Sequence, residues 1–231
     1  YKQDGKSLYM LFNESMLSTL SLKFQLPDYK NLTIYDPIMN KLERIEMTDG
    51  FYHLELDKGE SLLLLEDVEN QREIQLRFEK HQCTTKISLA ENEWKISVHG
   101  VGINGNSMFP KKSKGLPLLG IGDELERFSG TIIYETQIEV KNENVKSVLL
   151  IEDANEIVTL YVNNKKIDTR ISYPYQFELS NCLKKGSNDI KVEVVNNLGR
   201  YMQDFLSQYI TFESLGLIGE IDLYSYDAEE K

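Results

Sequence analysis

The chain carries 37 acidic residues among 231. Paired carboxylates hydrolyse glycosidic bonds when they flank one bond at a set separation. None of these carboxylates stands in a catalytic signature, so they read as solvated or turn residues and no catalytic residue is assigned. His81-Gln82-Cys83 sets two metal-ligand types two positions apart, but a zinc site needs about four ligands at recognisable spacing and no second pair exists. His53 and His99 stand alone in strand-like segments, and all three histidines read as structural. No Gly-x-Ser-x-Gly nucleophile turn occurs. Gly100-Val101-Gly102-Ile103-Asn104-Gly105 has the glycines of a dinucleotide loop without the strand–helix context that gives them meaning. What is left is recognition chemistry. Aromatic faces stack on sugar rings, and polar side chains bond to their hydroxyls. Tyr173, Tyr175, Arg200 and Tyr201, near predicted loop ends, and Asn163 and Asn164, at a predicted turn, are the candidates to bind a carbohydrate. Each has a plainer reading: tyrosine packs well in strands, and asparagine suits turns.

These residues sit on strands and turns. Val158, Leu160 and Val162 alternate with Thr159 and Tyr161, the period of a strand with one buried face. Asn163-Asn164 follows as a tight hairpin turn, since asparagine tolerates positive φ. Tyr175, Phe177 and Leu179 fall on one side of a second run. Lys184-Lys185-Gly186-Ser187-Asn188 is a polar turn, after which Ile190, Val192 and Val194 form another alternating row. Trp94–Val98, Ile132–Val140, Ser147–Ile151 and Ile218–Tyr226 add further strands. Gly100–Gly122, with its glycines, two prolines and three lysines, reads as a long surface loop, with a ligand-shaped loop as the sharper alternative. Tyr201, Phe205, Leu206 and Tyr209 have the spacing of one short amphipathic helix within Gly199–Ser214.

Residues 1–66 form an earlier run of short strands: Leu20–Leu26, Leu32–Tyr35, Arg44–Met47, Phe51–Leu56 and Ser61–Leu65. Asp36-Pro37, Asp49-Gly50 and Lys58-Gly59 mark turns between them. Glu66–Glu73 is charged and reads as the connection to a second domain over 74–227, which opens with an Ile74–Phe78 strand. The expected fold is therefore all-β, two β-sandwich units in series.

Composition bounds the partners. A formal net charge of −11 argues against a nucleic-acid backbone or an anionic membrane surface. No apolar run approaches the roughly 20 residues of a membrane span. The chain begins at Tyr1 without a methionine, which reads as a fragment or a processed chain, and its compartment stays open. Cys83 and Cys182 read as two free buried thiols, with an oxidised pair as the alternative.

One stretch carries a resemblance. The order V-N-N-K from Val162, then P-Y-x-F-x-L from Pro174, then L-K-K-G-x-N-x-I-x-V-x-V-x-N from Leu183 resembles the galactose-binding-like jelly-roll domains attached to glycoside hydrolases. The sugar-binding domain of family 2 and the C-terminal domain of rhamnosidase-like enzymes are the nearest of these. Phe128-Ser129-Gly130-Thr131 before Tyr134 looks like the strand that opens such domains, and Gly216-Leu217-Ile218-Gly219 like the lead into their last strand. In the first unit, I-Y-D-P-x-x-N-K and L-D-K-G-E-S-L-L-L-L resemble the small β-domain that follows the catalytic barrel in many of these enzymes. Asn40 stands where that family has glycine, a replacement the left-handed region tolerates.

The resemblance implies a non-catalytic C-terminal accessory fragment of a glycoside hydrolase whose catalytic domain, in the same polypeptide, is missing here. A freestanding carbohydrate-binding or adhesion module, and an interaction domain without sugar affinity, are the alternatives. The resemblance implies no organic cofactor. Related jelly rolls often hold a structural calcium on backbone carbonyls, which leave no trace in sequence, so no metal site is placed.

Overall fold

The computed structural model is all-β and describes residues 2–3, 6–15, 17–26, 32–66, 75–76, 83–103, 109–142, 146–202 and 213–226. It divides into two compact units, Tyr1–His81 and Gln82–Lys231.

In the first unit one sheet takes β1 (Lys2–Gln3), β2 (Lys6–Phe12), β4 (Leu32–Asp36), β5 (Lys41–Ile45), β8 (Ser61–Glu66) and β9 (Gln75–Leu76), in the order β1-β2-β8-β4-β5-β9. A smaller sheet takes β3 (Leu20–Phe24), β6 (Met47–Thr48) and β7 (Phe51–Leu56), in the order β3-β7-β6. Alternation decides what is buried. Tyr52, Leu54 and Leu56 of β7 meet Leu62 and Leu64 of β8 and Leu32 and Ile34 of β4 in one core, while Leu22, Phe24 and Leu26 pack on it half-buried. Leu20, expected in that row, is exposed.

The turns explain the register. Asp49 and Gly50 both have positive φ (52° and 78°) between the paired residues Thr48 and Phe51, so they form the two-residue hairpin turn their types favour. Asn40 takes φ 48°, as the replacement of glycine requires. The Asp36 carboxylate accepts from the backbone N–H of Ile38 and of Met39, each at 2.9 Å, and fixes the turn before it.

In the second unit the smaller sheet runs β10 (Thr85–Ser88), β19 (Gly216–Ser225), β14 (Ser147–Asn155), β17 (Tyr175–Glu178). The larger sheet runs β12 (Lys111–Lys114), β11 (Glu93–Val101), β13 (Ser129–Val140), β18 (Gly186–Val195), β15 (Ile157–Val162), β16 (Lys165–Arg170). Their inner faces share a core that includes Trp94, Ile132, Tyr134, Leu149, Leu160, Phe177, Val192 and Leu223. All pairings in this unit are antiparallel.

The two motifs that open and close the unit meet in this core. The buried Tyr134 hydroxyl accepts from the backbone N–H of Leu217 at 3.3 Å, and a Cβ added at Gly216 would lie 1.9 Å from the same oxygen. Only a glycine leaves room for the ring. Burial pushes the Tyr134 phenol well above its ordinary pKa. Gly100 and Gly130 are paired across β11 and β13, and a Cβ on either would strike the other strand's backbone.

Four sequence expectations change. Lys111–Lys114 is not loop but an edge strand beside β11; lysines on an exposed edge keep it solvated and closed to further pairing. Lys165–Arg170, given no strand in the sequence reading, is a strand paired with β15, because the Asn163-Asn164 turn is tight enough to continue the hairpin. Gln75–Leu76, expected to open the second domain, pairs parallel with β5 in the first unit, whose edge offered free hydrogen-bonding groups. Cys83 and Cys182 are not joined in a disulfide, as expected, but are half-buried rather than buried. Of the expected helix, one turn is described, α1 (Gly199–Met202); Phe205, Leu206 and Tyr209 lie outside the described residues, as do most of the 66–73 connection and His81.

Candidate functional site

Of the six residues suspected of binding, Tyr175 lies on β17 of the smaller sheet and the other five fall toward two ends of the larger one. Ile157 of β15 pairs with Val195 of β18, and Val162 pairs with Ile190. Asn163 and Asn164 therefore sit at one end of β18, and the segment from Asn196 through Tyr201 at the other, roughly 20 Å away along the strand. Tyr173 follows β16, whose Arg170 pairs with Val158, so it lies at the Tyr201 end.

At that end the polar groups hold the fold. Arg200 is 5% exposed. One guanidinium nitrogen donates to the carbonyl of Gly120 at 2.8 Å and of Glu126 at 3.3 Å, and another to the carbonyl of Glu213. Burial lowers its pKa, while the carboxylates of Asp123 and Glu126 act in the opposite direction. It ties together three segments distant in sequence. Tyr175 is buried and donates to the carbonyls of Ala154 and Glu156 at 3.0 and 2.6 Å; burial first, then Asp153 and Glu156, push its hydroxyl up to about 12. Tyr173 is half-buried edge-on to Tyr175, with ring centroids 5.8 Å apart. Tyr201 alone of this group presents a largely free ring, at 41% exposure, and its backbone carbonyl accepts from Arg127 at 3.0 Å.

At the other end Asn163 and Asn164 take φ of 50° and 64°. Asn163 is committed to structure. Its amide donates to Asn188 Oδ1 at 2.9 Å and its carbonyl oxygen accepts from the Asp189 N–H at 3.1 Å. Asn188, fully buried, in turn bonds the backbone of Lys184 and Gly186 and closes that polar turn. Asn164 instead lines an open groove of about 760 Å³ on the outward face of the larger sheet.

Strand rows build this groove. Lys95, Glu135, Lys191 and Tyr161 are successive cross-strand partners on that face. Lys95 Nζ meets Glu135 at 2.7 Å, Lys112 Nζ meets Glu93 at 3.0 Å, and Gln137 donates to Asp189 at 2.8 Å. Lys191 reaches Glu193 at 2.9 Å and lies 3.8 Å from the centre of the Tyr161 ring. The bond to Glu193 raises the Lys191 pKa. Apart from Asn164, the groove was not legible in the sequence: it is lined mostly by the solvent-facing members of alternating strands, whose individual residues look like ordinary surface. Among the described residues no three His, Cys, Asp or Glu side chains converge on a metal site, and no helix is long and apolar enough to cross a membrane. His53 and His99 are exposed on strands.

Comparison with known proteins gives a likeness of fold. A rhamnosidase from Novosphingobium sp. PP1Y matches with a TM-score of 0.69 and 17% identity, over 97% of this chain and 23% of its own. A beta-glucuronidase from an uncultured Clostridium sp. matches with a TM-score of 0.50 and 16% identity, over 65% of this chain and 30% of its own. The chain thus spans less than a third of either enzyme. No protein-family model and no curated protein matches it in sequence.

Proposed function

We propose that this chain is a non-catalytic accessory portion of a glycoside hydrolase, with a small β-domain followed by a galactose-binding-like jelly roll. One observation carries the reading. The likeness to the rhamnosidase extends over the residues of both units, 97% of this chain against 23% of that one. A generic sandwich would match one unit and leave the other unaligned. The partner in this reading is the catalytic domain of the same polypeptide, and that domain holds the paired carboxylates of glycoside hydrolysis. This chain contributes a rigid scaffold and a hydrogen-bonding surface.

The expected result is that the purified chain, folded by thermal melt, does not turn over aryl glycosides of any common pyranose. Turnover that survives stringent purification and disappears on changing one carboxylate to its amide would overturn the reading.

A further inference from the structure

We infer that the groove beside Asn164 binds a neutral oligosaccharide lying across the strands of the larger sheet; the inference rests on the glycoside-hydrolase reading and assigns that surface its ligand. Three observations support it. First, the groove is charge-balanced in an acidic chain. Lys95, Lys112 and Lys191 face Glu93, Glu135 and Asp189, whereas the whole chain carries −11. A ligand of either sign meets as much repulsion as attraction, and a neutral one rich in hydroxyls meets donors and acceptors throughout.

Second, the groove's polar groups can be exchanged cheaply. The Lys112–Glu93 and Lys95–Glu135 pairs are largely exposed. Exposed pairs of this kind contribute little to stability, so hydroxyls can replace them. Asn164 also offers a side-chain amide with no hydrogen-bond partner among the described residues. Third, adjacent strands are about 4.8 Å apart, comparable to the length of one sugar ring. A chain crossing from β12 over β11 and β13 to β18 meets a new row of polar side chains with each sugar.

The polarity is particular to this face. On the outward face of the first unit's larger sheet the partners Met10, Leu63, Tyr35 and Leu42 form an apolar row instead. Recognition in the groove is by hydrogen bonds, because Lys191 covers the face of the nearest ring, Tyr161.

The test is titration of the 231-residue chain with cellohexaose, mannohexaose and xylohexaose, and with hexagalacturonate as the anionic counterpart, read by calorimetry and amide shift mapping. The expected result is saturable binding of at least one neutral hexaose, with shifts confined to β12, β11, β13, β18 and the Asn163-Asn164 turn. An Asn164→Ala/Gln137→Ala double variant should bind about tenfold more weakly, the effect of two lost hydrogen bonds. Tyr201→Ala, at the opposite end, should bind as the parent does. The proposal is overturned by absence of binding, by binding of hexagalacturonate alone, or by shifts centred on Tyr201. If the double variant melts early, shift mapping on the parent chain still decides. No binding here beside an active complete polypeptide removes the groove and spares the accessory reading; binding beside an inactive one does the reverse.

Discussion

Val192→Asp unfolds the second unit, while Lys191→Asp, one residue away, leaves it folded. Val192 is 0% exposed and sits between its cross-strand partners Tyr134 and Leu160, themselves fully buried. A carboxylate there has no partner and either takes up a proton or drags water into the core. Either course costs several kcal/mol, against a total stability of about 5–15 kcal/mol for a domain. Lys191 faces outward, with its side chain 31% exposed beside Glu193. Its replacement removes one ion pair and the contact over Tyr161, and sets a carboxylate near Glu135 and Glu193. That costs about 1–2 kcal/mol, since the site is partly solvated. Thermal melts of the two variants measure the difference. A larger loss from Lys191→Asp would mean that β18 is shifted by one residue, which exchanges its faces.

Gly216→Ala is the second severe change. Gly216 has φ 78°, and its new methyl would lie 1.9 Å from the Tyr134 hydroxyl oxygen and 2.9 Å from the ring carbon that bears it. The left-handed conformation costs an L-residue about 1–2 kcal/mol, and forcing a buried ring aside adds about 1–3 kcal/mol. Gly122 separates the two effects. It has φ 65°, with nothing within 4 Å of an added Cβ, so Gly122→Ala should show the conformational cost alone. Urea titrations of the second unit should place Gly216→Ala well below Gly122→Ala. Tyr134→Phe in the Gly216→Ala background should recover part of the loss, because the closest clash is with the hydroxyl. Equal losses for the two alanine variants would falsify the packing of Tyr134 against the start of β19.

What could be read in the sequence, and what could not, follows from the range of each signal. Alternation is local, so the rows of Val158, Leu160 and Val162 and of Ile190, Val192 and Val194 announced their buried faces. Turn chemistry is equally local: Asp49-Gly50 and Asn163-Asn164 adopt the positive φ that their types permit. The all-β class followed from these two signals. Strand partnership depends on residues far apart, so the sequence did not reveal that Lys111–Lys114 would edge β11, or that Gln75–Leu76 would pair with β5. Arg200 shows the limit at the site. Its loop position suggested a free polar side chain, yet its guanidinium is buried among carbonyls contributed by residues 120, 126 and 213. A loop arginine that binds ligand and one that ties loops together look alike until the partners are placed. The groove was hidden for the same reason, since its lining is a row across strands rather than along one.

The measurement closest to the central proposal is glycoside turnover by the product of the complete coding sequence, assayed beside the 231-residue chain on a panel of aryl glycosides. The accessory reading predicts that the complete polypeptide hydrolyses at least one of them, that the activity resides in a domain outside these residues, and that the chain alone is inert. A complete product that carries no further domain, or one that hydrolyses none of the panel while properly folded, would contradict it.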